Sequence, residues 1–165
     1  MILTRHPHRE FPYGTWVAQD PSQDRKRSLI STQPIVWIAR DLDYMLLVRR
    51  NFRRNGIDNP IVLLTSGELA LAYIRTSGDA ISPSTSPLVV VTEISLPQMD
   101  GYEVLRQLKL DPRFVDLPVL LIATTEPFDF QKTEPFPAVH FLQRPPLEGI
   151  PALVETIIQR WVHRR

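Results

Sequence analysis

Short apolar runs alternate with amphipathic segments along the chain from residue 35 onward. Five runs are typical of buried strands: residues 35–39, 60–64, 88–93, 117–123 and 139–142. Between them, apolar residues recur at helical spacing in three segments that contain Met45, Val48 and Phe52; Leu69, Ala70, Tyr73 and Ile74; and Val104, Leu105 and Leu108. Strands that alternate with helices predict an α/β domain built on a parallel sheet with right-handed crossovers.

Helix boundaries agree with this pattern. Asp41 and Asp100 precede the first and third helices as caps, and either Thr65 or Ser66 caps the second. Gly56 is expected to end the first helix. The solvent-exposed face of this helix is predicted to carry Arg49, Arg50, Arg53 and Arg54. A turn-rich loop is predicted for residues 78–87. The last helix is predicted over residues 147–163, with one apolar stripe formed by Leu153, Val154, Ile157, Ile158 and Trp161.

The stretch from Leu88 to Gly101, LVVVTEISLPQMDG, contains the most informative strand. Its unbroken β-branched start is typical of a central strand that is covered on both faces. The strand ends at an acid, Glu93, and a loop stiffened by Pro97 leads into the third helix. In open α/β sheets ligands bind beyond the carboxyl ends of the strands, so Glu93 is a candidate site residue.

Length, charge and composition narrow the possible functions. The 165 residues suit one domain, residues 35–165, preceded by an extension over residues 1–34 without apolar periodicity. The sequence predicts that this extension is flexible or loosely docked. Either it has no specific role, or Phe11, Tyr13 and Trp16 dock it on the domain or on a partner. The formal net charge of +1 does not predict a nucleic-acid-binding surface. The lack of cysteine excludes disulfides and metal sites built on thiolates. No membrane span or signal peptide is recognisable, so a cytoplasmic protein is expected.

The stretch around Glu93, with its strand, acid and following L-P-x-M-D-G, resembles the third strand and loop of response-regulator receiver domains. The resemblance covers roughly residues 35–163 and implies a flavodoxin-like five-stranded parallel sheet in the order 2-1-3-4-5. Asn59-Pro60, residues 67–73 and residues 111–114 look most like the small single-domain regulators that partner phytochrome-type histidine kinases.

In receivers an aspartate accepts a phosphoryl group with help from two further acids, Mg²⁺, a hydroxyl and a lysine. The resemblance puts the acid pair at Ala39 and Arg40, the acceptor at Glu93, the hydroxyl at Ala123 followed by Thr124, the lysine at Arg144 and the switch aromatic at Phe141. It also implies a cis peptide bond before Pro145. A one-residue shift would instead bring Asp41 to the acid site at the expense of the helix register.

These replacements predict a degenerate receiver, or pseudo-receiver, that takes up neither metal nor phosphate. Mg²⁺ requires several oxygen ligands, whereas one carboxylate remains and a guanidinium stands beside it. Arg40 and Arg144 are expected to converge on Glu93. Their ion pair either fixes one switch state or merely avoids a lone buried charge.

The face that a fourth helix covers in receivers also differs in this chain. Pro127, Pro135 and Pro137 leave room for about two helical turns at most, so the fourth helix is predicted to be short or missing. Phe128, Phe130, Ile157, Ile158 and Trp161 are predicted to form an apolar interface, for which a homodimer is the first candidate. Alternatively these side chains fold back onto their own domain, or the N-terminal extension covers them.

The leading functional hypothesis is a phosphorylation-independent interaction module that binds a signalling protein, either a histidine kinase or a downstream regulator. A receiver that still accepts phosphate is the first alternative. A flavodoxin-like enzyme or small-molecule binder is the second, although Ala39-Arg40-Asp41-Leu42 stands where a glycine-rich phosphate loop would follow the first strand. We expect no cofactor, no enzymatic activity and no nucleic-acid or membrane partner.

Overall fold

The computed structural model of the protein describes residues 32–79 and 86–163. These residues form strands β1 (Ile35–Ile38), β2 (Ile61–Leu64), β3 (Val89–Glu93), β4 (Val119–Ala123) and β5 (Val139–Gln143), and helices α1 (Leu42–Arg54), α2 (Gly67–Asp79), α3 (Gly101–Leu110) and α4 (Ile150–Ile157). The predicted extension lies outside the described residues except for residues 32–34, and so does most of the predicted 78–87 loop. In the described ranges no helix is long and apolar enough to cross a membrane.

All five strands run parallel in the order β2-β1-β3-β4-β5, which confirms the predicted flavodoxin-like sheet. In the register of the sheet, Val36 lies between Val62 of β2 and Val90 of β3. Every residue of β3 is buried, as its apolar sequence requires for a strand covered on both faces. Because β1 and β3 are adjacent and parallel, their carboxyl ends lie side by side at the same end of the sheet.

Two helices cover each face of the sheet. Side chains of α1 and α4 pack against one face, and side chains of α2 and α3 against the other. The caps are where the sequence indicates: the Asp41 carboxylate accepts from the Tyr44 N–H, Ser66 Oγ from the Leu69 N–H, and the Asp100 carboxylate from the Glu103 N–H. These contacts satisfy backbone donors that the first helical turn leaves without partners.

Leu69 is an exception to the predicted face of α2, because its side chain is 55% exposed. The buried stripe of this helix consists of Gly67, Ala70, Leu71 and Ile74. A Cβ on Gly67 would lie 2.6 Å from Cγ2 of Val104 on α3, so the missing side chain lets these two helices approach closely. Helix α2 therefore packs through Leu71 and Ile74 together with the small residues Gly67 and Ala70, and Leu69 lies outside this buried stripe.

The β4–β5 segment, residues 126–137, has only one turn of 3₁₀-helix, at Phe130–Lys132. This confirms that the fourth helix typical of receivers is missing. The segment is nevertheless fixed to α3, because the Asp129 N–H donates to the Tyr102 hydroxyl at 2.7 Å. It ends at Ala138, whose φ of 56° is unusual for a residue with a side chain.

The last helical segment is less regular than predicted. A 3₁₀ turn at Leu147–Gly149 leads into α4, and a π-helical turn follows at Ile158–Val162. The ring of Trp161 lies against His140 of β5, with ring centroids 5.0 Å apart.

The predicted interface is wrong for three of its residues, because Ile157, Ile158 and Trp161 are only 0%, 5% and 3% exposed within the chain. The physical reason is that α4 packs on both the sheet and α1, so it needs more apolar surface than one stripe provides. Phe128 is half-buried and Phe130 remains 62% exposed.

Candidate functional site

The loop after β3 positions the candidate acid at the edge of the sheet. Ile38 of β1 pairs with Thr92, so the residues that follow β1 come alongside Glu93. The loop closes when the Gly101 N–H donates to the Ile94 carbonyl oxygen at 2.8 Å. A Cβ on residue 101 would collide with the Glu93 carbonyl oxygen, so only glycine lets α3 begin this close to the strand.

Glu93 is 4% exposed, and both of its carboxylate oxygens have partners. Oε2 accepts from the backbone N–H of Arg40 at 3.2 Å, and Oε1 accepts from Nη1 of Arg144 at 3.1 Å. Burial raises the pKa of Glu93 above its ordinary value, and the two donors only partly oppose this. The carboxylate is therefore a buried charge that depends on its two donors.

Arg144 connects three elements of the fold, α1 and β3 through its side chain and β4 through its backbone N–H. Its Nη2 lies 3.6 Å from Oδ2 of Asp41, the capping residue of α1, while Nη1 binds Glu93 at the end of β3. The guanidinium carbon stacks 3.8 Å from the centroid of the Tyr44 ring, within cation–π distance. Its own backbone N–H donates to the Ala123 carbonyl oxygen at 2.8 Å. One guanidinium thus stands between two carboxylates on an aromatic surface.

Only one of the two predicted arginine side chains pairs with Glu93. Arg144 does so, but Arg40 contacts the carboxylate through its backbone N–H, and its side chain is exposed. The reason is local: Arg40 stands in the turn before α1, where its N–H points to the sheet edge and its side chain to solvent. Ala39, the other position of the acid pair, is fully buried and carries no ligand atom.

The hydroxyl of Thr124, the residue after β4, is bound by a carboxylate that the sequence analysis did not predict. Thr124 Oγ1 donates to Oε2 of Glu126 at 2.9 Å, and the Thr125 N–H donates to the same oxygen at 3.1 Å. Burial alone would raise the pKa of Glu126, but these bonds and those from backbone N–H groups outweigh it, so the pKa lies below its ordinary value. Ala123, the aligned hydroxyl position, is buried in β4.

Phe141, the predicted switch aromatic, is packed among rings of the β4–β5 segment. Its ring centroid lies 4.6 Å from that of Phe128 and 4.8 Å from that of Phe130, with both pairs in edge-on geometry. The ring therefore lies against its own chain.

The predicted cis peptide bond before Pro145 is wrong, because the structure has no cis bond in its described residues. A trans bond is the lower-energy form of an X–Pro bond by about 0.5–1 kcal/mol. The Arg144 N–H and side chain both reach their partners with the bond trans.

The donor set does not fit Mg²⁺. The site offers the carboxylates of Glu93 and Asp41, and Arg144 binds both of them. Mg²⁺ is held by several oxygens in octahedral geometry, and a guanidinium within bonding distance of both carboxylates competes with it. Across residues 32–79 and 86–163 no group of three or more acids or histidines could hold a metal ion.

The sequence analysis found Glu93 and Arg144, missed the role of Tyr44, and brought Asp41 to the site only in the alternative alignment shifted by one residue. Tyr44 occupies an apolar position of helix α1, so the sequence pattern indicated that it is buried. The pattern gave no sign that the Tyr44 ring lies beneath a guanidinium. Asp41 was recognised as a helix cap, yet one of its oxygens caps α1 while the other faces Arg144. Its place directly after Arg40 was the available signal, since the turn carries it to the same sheet edge.

Two curated proteins are similar to the chain in sequence, and no protein-family model matches it. A probable methanogenesis regulatory protein, FilR2 of Methanothrix harundinacea strain 6Ac, is 30% identical over 121 residues, which are 72% of this chain and 77% of the relative. The response regulator Rcp1 of Synechocystis is 29% identical over 79 residues, which are 48% of this chain and 53% of that protein.

Solved structures show the same architecture. The phosphorylated cyanobacterial phytochrome response regulator RcpA superposes with a TM-score of 0.67 and 21% identity, covering 79% of this chain and 94% of that one. At this identity the likeness shows the fold alone, namely the five-stranded parallel sheet with its flanking helices.

Proposed function

Because the chain belongs to the response-regulator receiver family of two-component signalling, we propose that it is a pseudo-receiver that binds its partners without being phosphorylated. The observation that carries this proposal is the position of Arg144. Its guanidinium binds Glu93 at 3.1 Å and lies 3.6 Å from Asp41, where a phosphorylating receiver would gather acids around a metal ion.

The chemistry of Glu93 supports the same proposal. Phosphoryl transfer in this family requires a carboxylate oxygen free to attack and a cation to neutralise the developing charge on the phosphoryl group. Here both oxygens of Glu93 accept hydrogen bonds within the protein, and the side chain is one methylene longer than aspartate. The in-line geometry that an aspartate acceptor provides is therefore altered.

The switch positions support a single, fixed conformation. Thr124 donates to Glu126, and Phe141 packs on Phe128 and Phe130, so each switch group already has an internal partner. In a phosphorylated receiver these groups would be drawn toward the phosphoryl oxygens. Because those contacts are made within this chain, phosphate is not required to hold the conformation.

The partner is a histidine kinase or another protein of a signalling pathway. A phytochrome-type kinase is the first candidate, since the structural neighbour RcpA is a phytochrome response regulator. Retrieval of the tagged protein from its source cell, followed by mass spectrometry of the bound proteins, tests this. Recovery of the same partner with wild type and Glu93→Gln would support phosphorylation independence.

Incubation with acetyl phosphate and Mg²⁺, followed by intact mass measurement, tests the proposal directly. We expect no mass gain for the wild type. A variant with Ala39→Asp, Arg40→Asp, Glu93→Asp and Arg144→Lys restores every charged position of a working receiver and is the positive control. Wild-type protein that gains one phosphate at Glu93 would overturn the proposal, and phosphorylation of the restored variant alone would support it.

A further inference from the structure

Four exposed arginines lie together on the second half of helix α1. We call this group, which consists of Arg49, Arg50, Arg53 and Arg54, the α1 arginine cluster. Residues four positions apart are neighbours on a helix surface, so the cluster is made of two adjacent pairs. From its first to its last residue the helix rises only about 7.5 Å. The cluster is therefore a compact patch of positive charge.

None of the four guanidinium groups forms an ion pair with a carboxylate of residues 32–79 or 86–163. Other exposed arginines in these ranges are paired: Arg106 binds Glu103, and Arg113 binds Asp111. Like charges four residues apart on a helix repel each other, so the cluster destabilises α1 as long as no anion is bound. An anion bound to the cluster would relieve this repulsion.

The helix dipole explains only half of the cluster. Cations in the last turn of a helix interact favourably with its carbonyl end. Arg53 and Arg54 occupy that turn, and Nη1 of Arg53 also donates to the Ile57 carbonyl oxygen at 2.7 Å. Arg49 and Arg50 lie one turn earlier, where the dipole has little effect, and their side chains form no hydrogen bond with the described part of the chain. Their charge is therefore available to a partner.

The cluster is remote from the Glu93 site. Helix α1 begins beyond the carboxyl end of β1 and runs back, because β2 then begins at Ile61, which pairs with Ile35, the first residue of β1. Arg54 therefore lies toward the amino ends of the strands, about 20 Å along the helix axis from the cap at Asp41. A kinase that phosphorylates a receiver must reach the opposite end of the sheet, so the cluster is a separate surface.

We propose that the α1 arginine cluster binds an acidic segment of a partner protein. Guanidinium groups bind carboxylates through two parallel hydrogen bonds, which makes arginine well suited to such contacts. Leu46 and Leu47, which are 39% and 37% exposed, lie one turn before the cluster on the same helix. Apolar side chains of the partner segment cover these leucines while its carboxylates pair with the arginines.

The size of the cluster favours a protein segment over a nucleic acid. Phosphates on one DNA strand are about 3.4 Å apart, so a patch about 7.5 Å long meets two or three of them. Nucleic-acid affinity depends on the number of phosphates that are neutralised, and the net charge of +1 supplies no wider basic surface. The proposal goes beyond the pseudo-receiver function and uses none of the chemistry at Glu93, so either proposal can fail without the other.

Fluorescence anisotropy of the full chain with a labelled peptide of glutamate, leucine and alanine tests this binding. The variant Arg49→Gln/Arg50→Gln/Arg54→Gln removes three charges and keeps Arg53, which bonds to the fold. We expect it to raise the Kd of the peptide at least about tenfold, because three exposed ion pairs are lost together. The same three positions changed to lysine keep the charge without the planar group and should raise the Kd less.

The variant Arg75→Gln/Arg106→Gln/Lys132→Gln is the matched control, because it removes as many positive charges from exposed side chains outside the cluster. It should bind the peptide like the wild type. A labelled DNA duplex of mixed sequence should bind the wild type more weakly than the peptide at the same salt concentration.

Three results would overturn the proposal. The first is a wild type that does not bind the peptide at about 1 mM. The second is an equal rise in Kd for the cluster variant and its matched control, or no rise in the cluster variant. The third is tighter binding of the duplex than of the peptide, which would indicate a nucleic-acid surface instead.

Discussion

Replacement of Arg144 by alanine is the sharpest perturbation that the structure offers. The substitution leaves the Glu93 carboxylate, whose side chain is 5% exposed, with one backbone donor and no positive partner. It also removes the cation from the face of Tyr44 and leaves Asp41 near a second carboxylate. The expected result is a destabilised domain with the same fold.

The expected loss in the free energy of unfolding depends on how deeply each partner of Arg144 is buried. Removal of one member of a buried ion pair typically costs about 3–5 kcal/mol. Arg144 is 23% exposed and Asp41 52% exposed, so solvent screens part of the interaction, and the Asp41 contact adds less than about 1 kcal/mol. We expect Arg144→Ala to lower the free energy of unfolding by about 3 kcal/mol near pH 8.

The loss should depend on pH because Glu93 can take up a proton instead of staying charged. Burial raises its pKa above the ordinary 4.5 in the wild type, and removal of Arg144 takes away an interaction that lowers it. Between the unfolded and the raised folded pKa the folded state binds more protons, so the free energy of unfolding falls as the pH rises through this window. Because the folded-state pKa of Glu93 is raised further without Arg144, this pH window is wider in the variant. The variant should therefore lose more stability relative to the wild type near pH 8 than near pH 5.

Urea denaturation of wild type and variant at both pH values measures this difference. The double variant Glu93→Gln/Arg144→Ala is the matched control, since glutamine is nearly isosteric with glutamate but cannot ionise. It should recover most of the lost stability. A loss below about 1 kcal/mol, or an equal loss at both pH values, would show that Arg144 does not stabilise a buried charge.

Three further substitutions test contacts that α3 makes with the end of β3, with the loop before β4 and with the β4–β5 segment. Gly101→Ala should lower the free energy of unfolding by about 1–3 kcal/mol in urea denaturation, because its methyl group collides with the Glu93 carbonyl oxygen. Lys109→Met should cost about 1–3 kcal/mol by the same measurement, because Nζ donates to two loop carbonyl oxygens at 2.9 and 2.5 Å. Tyr102→Phe should speed amide exchange at Asp129, whose N–H loses its acceptor, and unchanged exchange would refute that anchor.

The fold could be predicted almost completely from the sequence because its signals are local and repeated. The run at Val89–Glu93 specified a central strand, and the caps at Asp41 and Asp100 specified where helices begin. The three prolines between residues 126 and 137 were enough to predict a missing helix. Each of these inferences rests on backbone geometry, which nearby residues largely determine.

The site was less predictable because its contacts join residues far apart in the chain. That Glu93 and Arg144 meet followed from the family resemblance, but the Tyr44 ring beneath the guanidinium has no sequence signal of its own. The burial of Trp161 was missed for a similar reason. An apolar stripe shows that a helix needs cover without showing whether its own sheet or another molecule supplies it.

The position of the Arg144 guanidinium also limits how this site can change by mutation. Glu93→Asp alone would shorten the acid and lengthen its contact with the guanidinium. Arg144→Lys alone would lose the planar group that reaches both Glu93 and Asp41 and stacks on Tyr44. Residues in one contact network are not energetically independent. Each of these substitutions alone would therefore make the protein less stable, although the two together would be compatible with each other. Under the proposed pseudo-receiver function, a gain of phosphotransfer would thus need several coordinated substitutions and could not proceed one residue at a time.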